Sequence, residues 1–195
     1  MTITDFDTPT TSAIEDLTGD YSLDVAHTRI GFTARHAMVT SVRGSFQEFE
    51  GTAHLDAADP SKSSAKLTIK VASLTTGQEQ RDAHLLSPDF FDVERFPEIS
   101  FESTAVEQLD DDTYRLIGDL TIKDQTRPVA VDFTFNGSAK DPFGNLRAGF
   151  EGSASVNRKD WGLTWNAALE TGGFLVADKV KFEFDVSAVK LTPTA

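Results

Sequence analysis

Cysteine is absent from this chain of 195 residues, so disulfide bonds, thiolate nucleophiles and cysteine-based zinc sites are excluded. The glycine-rich phosphate loops G-x-G-x-x-G and G-x-x-x-x-G-K are also missing, as is the G-x-S-x-G elbow of serine hydrolases. None of the 4 histidines is paired with another at the spacing of metal ligands. The sequence therefore predicts a protein that is not an enzyme and that holds no cofactor and no metal.

Basic residues are scarce as well, since 18 Lys and Arg stand against 31 Asp and Glu and leave a net charge of −13. Nucleic acid binding depends on clustered Lys and Arg, so no nucleic acid partner is expected. The same net charge argues against docking on an anionic membrane surface. Long apolar runs are absent too, and the sequence therefore predicts no membrane span.

The first 20 residues contain no basic residue and no apolar run, and so do not resemble a signal peptide. Their acidic composition predicts a disordered arm over residues 1–20. We assign the remainder to one barrel domain over residues 21–190 and a short tail over residues 191–195, because single β-barrels often reach about 200 residues. A chain without a secretion signal is expected in the cytoplasm.

Alternation of apolar and polar side chains with a period of two dominates the rest of the chain and predicts strands with one buried face. The predicted strands cover residues 29–36, 42–55, 64–71, 99–109, 114–122, 128–138, 146–157 and 179–189. The second strand is long, with Gly44 and Gly51 as candidate β-bulges. Short connections favour antiparallel neighbours, in a sandwich or a closed barrel. Long strands favour the barrel, because closure removes exposed edges.

One stretch, residues 81–101, interrupts the strand pattern. A helical segment carries Arg81 and His84, which lie three residues apart and would share a helix face. An aromatic turn follows, and Pro97 ends the excursion before the next strand. We predict a short helical insert near residues 77–96 that forms the lid or rim of a pocket. Its apolar side chains Leu85, Phe90 and Phe91 would close one end of the barrel.

Phenylalanine is the dominant aromatic residue, with 15 Phe against 2 Tyr and 2 Trp. The phenylalanines on the apolar phase of predicted strands are Phe32, Phe101, Phe133, Phe135, Phe150, Phe182 and Phe184. Next to small residues such as Gly118 and Gly152, these rings leave uneven space. Two interpretations stay open: a solid aromatic core, or an apolar cavity. A cavity of this kind suits a hydrocarbon chain, because each buried CH₂ contributes about 0.8 kcal/mol.

A few basic groups stand out in this acidic chain. Arg35 and His36 end the first strong strand, and Arg81 and His84 lie on the predicted helix. Arginine forms planar, bidentate hydrogen bonds with phosphate or carboxylate, so these residues are candidates for a head group. The alternative is ordinary ion pairing, as between Arg81 and the neighbouring Glu79 or Asp82.

Several short motifs follow one another in a set order. They are YSLDVAHTRIGF from Tyr21, GSF from Gly44, TTG from Thr75, the insert over residues 81–101, GDLTI from Gly118 and RKDWG from Arg158. In this order the chain, from about residue 21 to 190, resembles the YceI-like family of bacterial polyisoprenoid-binding proteins. The family usually has a Gly after the LTI of that fifth motif, where this chain has Lys123. Many members are secreted through a leader that this chain lacks.

The resemblance implies an extended, antiparallel, eight-stranded lipocalin-like barrel around a long apolar pocket. It also implies an isoprenoid or similar long-chain lipid as ligand, such as a polyprenyl phosphate or a quinone, and a homodimer. The lipid tail would lie among the seven phenylalanines, with Arg35, His36, Arg81 and His84 at its head group. One alternative is an isomerase or cyclase that uses His36 or His84 as acid or base. Another is a ligand-free stress-response module with a solid barrel.

Overall fold

The computed structural model describes residues 17–192. The α-helix of this region is α1 (Glu79–Leu86), and shorter 3-10 turns occur along the chain. The strands are β1 (Gly19–Leu23), β2 (Arg29–His36), β3 (Thr40–Phe46), β4 (Phe49–Leu55), β5 (Ser64–Lys70), β6 (Leu74–Thr75), β7 (Glu98–Gln108), β8 (Thr113–Ile122), β9 (Gln125–Lys140), β10 (Leu146–Asn157) and β11 (Val176–Lys190).

These strand segments form one closed antiparallel sheet. β1 and β2 both pair with β11, so they are two halves of a single long strand that the 3-10 turn Val25–His27 interrupts. β3 and β4 are likewise two halves of the next strand, and β5 and β6 of the one after it. Counted in this way the chain forms an up-and-down barrel of eight strands, with each strand hydrogen-bonded to its neighbour in sequence and the last to the first. The predicted all-β, eight-stranded antiparallel barrel is confirmed.

The connections alternate between the two ends of this barrel. Residues 37–39, 76–97, 123–124 and 158–175 lie at one end, which we call the helix end because it carries α1. Residues 56–63, 109–112 and 141–145 lie at the other, which we call the acidic end. The insert predicted near residues 77–96 therefore sits over one opening of the barrel, as the sequence indicated.

The predicted bulges at Gly44 and Gly51 are wrong. Pairing runs through both glycines without a change of register. The long strand bends instead at Gln47, in the gap between β3 and β4. The register shifts of the sheet lie elsewhere, for example beside Gly149, where β9 carries an extra residue opposite β10. A glycine within a strand can mark a change of register, as Gly149 does, but Gly44 and Gly51 do not mark one.

The first strand begins at Gly19, inside the segment that the sequence assigned to an acidic arm. Gly19 is opposite Leu55 of β4, and the side chain of Leu17 is buried. The rest of the predicted arm, residues 1–16, lies outside the described residues, as do residues 193–195 of the predicted tail.

Buried side chains form two clusters, a small one near the acidic end and a larger one that reaches from the helix end to Ile30 and Phe46 in the middle of the barrel. Tyr21, Ala148 and Ala188 form the cluster at the acidic end. The Tyr21 hydroxyl donates a hydrogen bond to the backbone oxygen of Leu17 at 2.7 Å. The larger cluster combines strand residues with residues of the connections, and its members include Ile69, Leu74, Phe90, Ile99, Ile122, Trp161 and Leu163.

Candidate functional site

The seven phenylalanines predicted to line a cavity all face the interior of the barrel. Strand register gives their direction: Phe182 is opposite Phe32, and Phe133 is opposite Gly152, all on the apolar phase. Seven residues share this direction and none of them is fully buried as a whole residue: Phe32, Phe101, Phe133, Phe135, Phe150, Phe182 and Phe184. The packing around these residues is therefore incomplete.

Glycines on neighbouring strands determine how some of these rings lie. A Cβ atom on Gly44 would stand 2.3 Å from Cζ of Phe32, and a Cβ atom on Gly152 would stand 2.5 Å from Cδ1 of Phe133. Each ring thus occupies the place of a missing side chain and lies over the adjacent strand. A ring that lies along the barrel wall takes less of the lumen than a ring that points at the barrel axis.

The centre of the lumen is apolar. Phe133 and Phe184 meet with ring centroids 5.7 Å apart, and Phe182 stacks on Phe184 at 6.2 Å. Further inward-facing residues around them, Leu23, Leu67, Val129 and Val156, are also only partly buried. Ile30 lies opposite Phe184 and is 1% exposed, so the same level of the barrel also contains closely packed residues.

The insert packs onto the helix end through the apolar side chains that the sequence singled out. Phe90 is buried, at 4% exposure, and Leu85 packs against the same cluster. The ring of Phe91 meets that of Phe46 edge to face, with centroids 6.3 Å apart. Phe90 and Phe91 therefore join the insert to the barrel core, and Phe90 has little surface left for a ligand.

Arg81 holds the connection that precedes α1. Its Nε donates to Oγ1 of Thr76 at 2.7 Å, and its Nη2 donates to the backbone oxygen of the same residue at 3.0 Å. The suggested ion pairs of Arg81 with Glu79 or Asp82 do not form. The carboxylate of Asp82 instead accepts hydrogen bonds from the backbone N–H of Thr76 at 2.8 Å and the hydroxyl of Thr75 at 3.2 Å.

His84 lies between two aromatic rings and a carboxylate. Its ring meets Trp165 edge to face at 4.6 Å and Phe90 at 5.2 Å. Nε2 of His84 is 2.8 Å from Oδ2 of Asp89. Sequence reasoning missed Trp165, although it is one of only 2 tryptophans and lies in a stretch without strand alternation, which was a usable signal.

Arg35 and His36 lie at the same end of the barrel as the insert, at the tip of β2. Because Ala34 faces inward, Arg35 is on the outer face, where its Nη1 lies 3.5 Å from Oγ of Ser41. His36 follows on the inner phase and is exposed at the rim. The structure thus gathers the four basic candidates at the helix end but does not place them in a single cluster.

Arg158 is a further residue whose role the sequence did not indicate. It is buried at 5% exposure, and burial lowers the pKa of its guanidinium. Its nitrogens donate to the backbone oxygens of Leu163 at 2.6 Å, Trp165 at 2.9 Å and Ala177 at 3.0 Å. This one side chain therefore ties the β10–β11 connection back to β11 and keeps Trp165 against His84.

Comparison with known proteins gives the family. The family model of the YceI-like domain matches residues 21–188. The chain belongs to the YceI-like family. A relative described as a UPF0312 protein from Pseudomonas savastanoi is 39% identical over 154 residues, which cover 78% of this chain and 80% of the relative. A UPF0312 protein of Staphylococcus aureus is 38% identical over 165 residues, which cover 84% of this chain and 94% of the relative.

Solved structures share the YceI-like barrel. BcnA of Burkholderia cenocepacia superposes with a TM-score of 0.75 at 25% identity, over 85% of this chain and 98% of that one. A domain from Saccharophagus degradans, described as polyisoprenoid-binding, superposes with a TM-score of 0.66 at 13% identity, over 88% of this chain and 98% of that one. At that identity the second likeness concerns the fold.

A surface cleft of about 350 Å³ lies outside the wall of this YceI-like barrel, at the helix end beside Trp161. Its charged lining consists of Arg95, Lys123, Arg127, Lys159, Asp124 and Asp160. Two of the four cations are paired with carboxylates beside the cleft, Arg95 with Asp92 at 3.3 Å and Lys159 with Asp178 at 3.0 Å. Within residues 17–192, no helix has the length and apolar character needed to cross a bilayer.

Proposed function

We propose that this YceI-like protein binds one long apolar lipid, such as a polyisoprenoid or an isoprenoid quinone, in the lumen of its barrel. The lipid is carried, stored or sequestered there and is not chemically changed. The observation that carries this proposal is the belt of seven inward-facing phenylalanines, none of which is fully buried. A solid aromatic core is expected to bury such residues.

The chemistry of the belt suits a hydrocarbon. Its rings make no demand for hydrogen bonds, and each CH₂ that leaves water contributes about 0.8 kcal/mol. The rings of Phe32 and Phe133 lie over Gly44 and Gly152 and take less of the lumen than rings that point at the barrel axis. The description of the S. degradans domain as polyisoprenoid-binding supports the same ligand class for a barrel of this fold.

We place the polar head of the lipid at the helix end. His36 is exposed on the inner phase at the rim, and Nη1 of Arg81 forms no hydrogen bond with any residue of the described chain. Arg35 and His84 are the further candidates at this end. If the head group is a phosphate, Arg81→Ala weakens binding by about 1.5–3 kcal/mol, the range for hydrogen bonds to charged groups. Equal affinity for charged and uncharged lipids would contradict this assignment.

Native mass spectrometry of the purified protein, followed by organic extraction, tests the proposal. The expected result is a stoichiometric lipid in the extract, or uptake of added polyprenyl or quinone lipids in a ratio of one per barrel. A bare protein that refuses both lipid classes would favour a solid barrel that acts as an interaction module.

A matched pair of substitutions places the ligand. Ala154 faces the lumen opposite Phe182, whereas Ser153 is exposed on the outer face of the same strand. Ala154→Trp fills the lumen and is expected to abolish lipid binding, while Ser153→Trp leaves it unchanged. Circular dichroism confirms that both variants are folded. Loss of binding in both variants, or in neither, would contradict a site in the lumen.

A second candidate function rests on His84. The histidine lacked an evident carboxylate partner in the sequence, and folding supplies one in Asp89 at 2.8 Å. A His–Asp pair beside Trp165 is an arrangement that an isomerase or cyclase on an apolar substrate uses as acid or base. Conversion of the bound lipid that His84→Ala abolishes, with binding intact, would favour this enzyme over a carrier.

A further inference from the structure

Three large apolar side chains are exposed together at the helix end. Met38 is 66% exposed and Val39 is 76% exposed, both in the turn between β2 and β3. Phe174, in the β10–β11 connection, is 59% exposed. Leaving three such side chains in water forgoes the stabilisation that their burial would bring, so a surface that covers them would bind them favourably.

The two segments that carry these side chains touch each other. The backbone N–H of Ala37 donates to the oxygen of Leu175 at 2.7 Å. A Cβ atom on Gly173 would lie 4.0 Å from Cγ of Met38. Met38, Val39 and Phe174 therefore form one patch, which we call the apolar tip, and this tip projects from the rim of the barrel.

Cations flank the apolar tip on the outer face of the barrel. Arg35 and Arg43 are exposed on β2 and β3, and Lys179 is exposed on β11. No carboxylate among residues 17–192 forms an ion pair with any of the three. Arg35 and Arg43 lie within four residues of the tip, about 13 Å at the rise of a strand.

Carboxylates occur in the connections at both ends of the barrel. Those at the acidic end are Asp56, Asp59, Asp110, Asp111, Asp112 and Asp141, and those at the helix end are Glu79, Asp82, Asp89, Asp92, Glu94, Asp124, Asp160 and Glu170. The unpaired cations beside the apolar tip are therefore a local feature of a chain whose net charge is −13. An anionic surface would attract this side of the helix end more than the rest of the molecule, which orients the molecule before contact.

We infer that the helix end docks on the surface of an anionic lipid bilayer. Met38, Val39 and Phe174 insert between the lipid head groups, and Arg35, Arg43 and Lys179 contact lipid phosphates. Exposed apolar side chains ringed by cations combine the two forces that hold peripheral proteins on such membranes. Docking in this orientation brings the rim of the lumen against the bilayer. The sequence argued against docking from the charge of the whole chain, and the three unpaired cations beside the apolar tip are a local exception to that charge.

Sedimentation with lipid vesicles tests the apolar tip. The full chain is mixed with vesicles of phosphatidylcholine and phosphatidylglycerol at a ratio of 3:1, and bound protein is measured. Phe174→Ser is expected to lower the partition coefficient about tenfold, because 1.4 kcal/mol of lost apolar burial is a factor of ten. The matched control is Phe143→Ser, which removes an 88% exposed ring at the acidic end and is expected to change nothing.

The cations are tested by charge reversal. Arg35→Glu with Lys179→Glu is expected to abolish binding to the 3:1 vesicles, whereas Lys140→Glu, at the acidic end, is not. Wild-type binding is expected to fall when NaCl is raised from 0.1 to 0.5 M, and to be weak on pure phosphatidylcholine vesicles. Equal binding to both vesicle types, or an equal effect of both reversals, would overturn the proposal.

The alternative to a bilayer on the apolar tip is a second copy of this chain. Light scattering after size exclusion distinguishes the two cases. A dimer that Phe174→Ser dissociates, without vesicle binding by the wild type, would overturn the membrane proposal. Docking does not depend on a filled lumen: Ala154→Trp is expected to bind vesicles like the wild type even when it has lost its lipid, so failure of one proposal leaves the other testable.

Discussion

Glycines on the inner face of the barrel accommodate the aromatic rings of this protein. A Cβ atom on Gly118 would stand 2.4 Å from Cζ of Phe101, just as one on Gly44 meets Phe32 at 2.3 Å. Real Cβ contacts are never so short, so a larger residue must push the ring away from the wall. The shape of the lumen therefore depends on single hydrogen atoms at these positions.

Gly44→Ala is expected to destabilise the protein by about 1–3 kcal/mol, the cost of overpacking a core, and to narrow the lumen. The matched control is Gly149→Ala in β10, where a Cβ atom would find its nearest neighbour at 3.8 Å. Gly149→Ala should change the free energy of unfolding by less than about 0.5 kcal/mol. Urea unfolding of both variants measures the difference, and equal stabilities would contradict the packing of Phe32 over Gly44.

Asp141 makes the stability of the folded protein depend on pH. Its carboxylate accepts hydrogen bonds from the side chain of Asn145 and from Arg147, and these contacts lower the pKa of Asp141 from 3.8 to about 2. The pKa of Asp24 is lowered as well, chiefly by Arg147. In the unfolded chain both groups take up protons at higher pH than in the folded protein. Their stabilisation is therefore present above about pH 4 and lost as the pH falls toward 2.

Urea unfolding between pH 4 and pH 2 checks this dependence. The wild type is expected to lose stability steadily across the interval, and Asp141→Asn is expected to lose less because it has no proton to gain at that position. Asp124→Asn, an exposed carboxylate on the β8–β9 turn, serves as the control. The same slope in the wild type and in Asp141→Asn would contradict the assignment.

One buried cation helps to hold the β10–β11 connection. Arg158 donates to the carbonyl oxygens of Leu163, Trp165 and Ala177, and the side chain of Asn166 adds two hydrogen bonds with the backbone of Val176. Without the side chain of Arg158, its three acceptor oxygens would be left without a hydrogen-bond donor at the edge of the core. The connection would then lose its contact with α1.

Arg158→Ala is expected to destabilise the protein by about 3 kcal/mol or more, the range for breaking a buried charged network. The neighbouring Lys159→Ala removes only an exposed ion pair with Asp178 and should cost less than about 1 kcal/mol. Hydrogen exchange of the α1 amides gives a second measurement. Arg158→Ala should raise their exchange rate, because Trp165 would no longer pack against His84 of α1. Equal effects of the two variants would contradict this role.

The elements differ in how far the sequence determined them. Strands β2 and β10 have the predicted limits. The alternation of apolar and polar residues starts and stops where one face of the strand is buried, and it can therefore be read from the sequence. The short β1 and β6 were not predicted, since five and two residues are too few to show a period. Leu85, Phe90 and Phe91 were recognised as the closing face of the insert, whereas Trp165 lies on a connection without any period.

For the whole molecule, a bound lipid should act as a stabiliser. A ligand that binds only the folded barrel adds about 2.7 kcal/mol at a free concentration of 100 times Kd. Wild-type protein with added polyprenyl lipid is therefore expected to unfold at a higher temperature, while Ala154→Trp should not respond. A calorimetric scan of both proteins measures this, and a shift in Ala154→Trp would place the lipid outside the lumen.

The sequence by itself determined the fold class, the family and the apolar character of the inner face of the strands. Each follows from local order: alternation of side chains, a set succession of motifs, and phenylalanine on the dry phase of its strands. The inward direction of Phe32, Phe133 and Phe182 could be predicted from the strand assignment and the period of two alone.

Only the tertiary structure decided how the rings lie and what the basic residues contact. Whether Phe32 fills the lumen or lies along its wall depends on Gly44. The two residues lie on different strands and are brought opposite each other only when those strands pair. The same holds for Arg81, whose partner is Thr76 and not an acid, and for the unpaired cations that lie beside the apolar tip. These features depend on which connections meet at one end of the barrel, and that juxtaposition exists only after the sheet has closed.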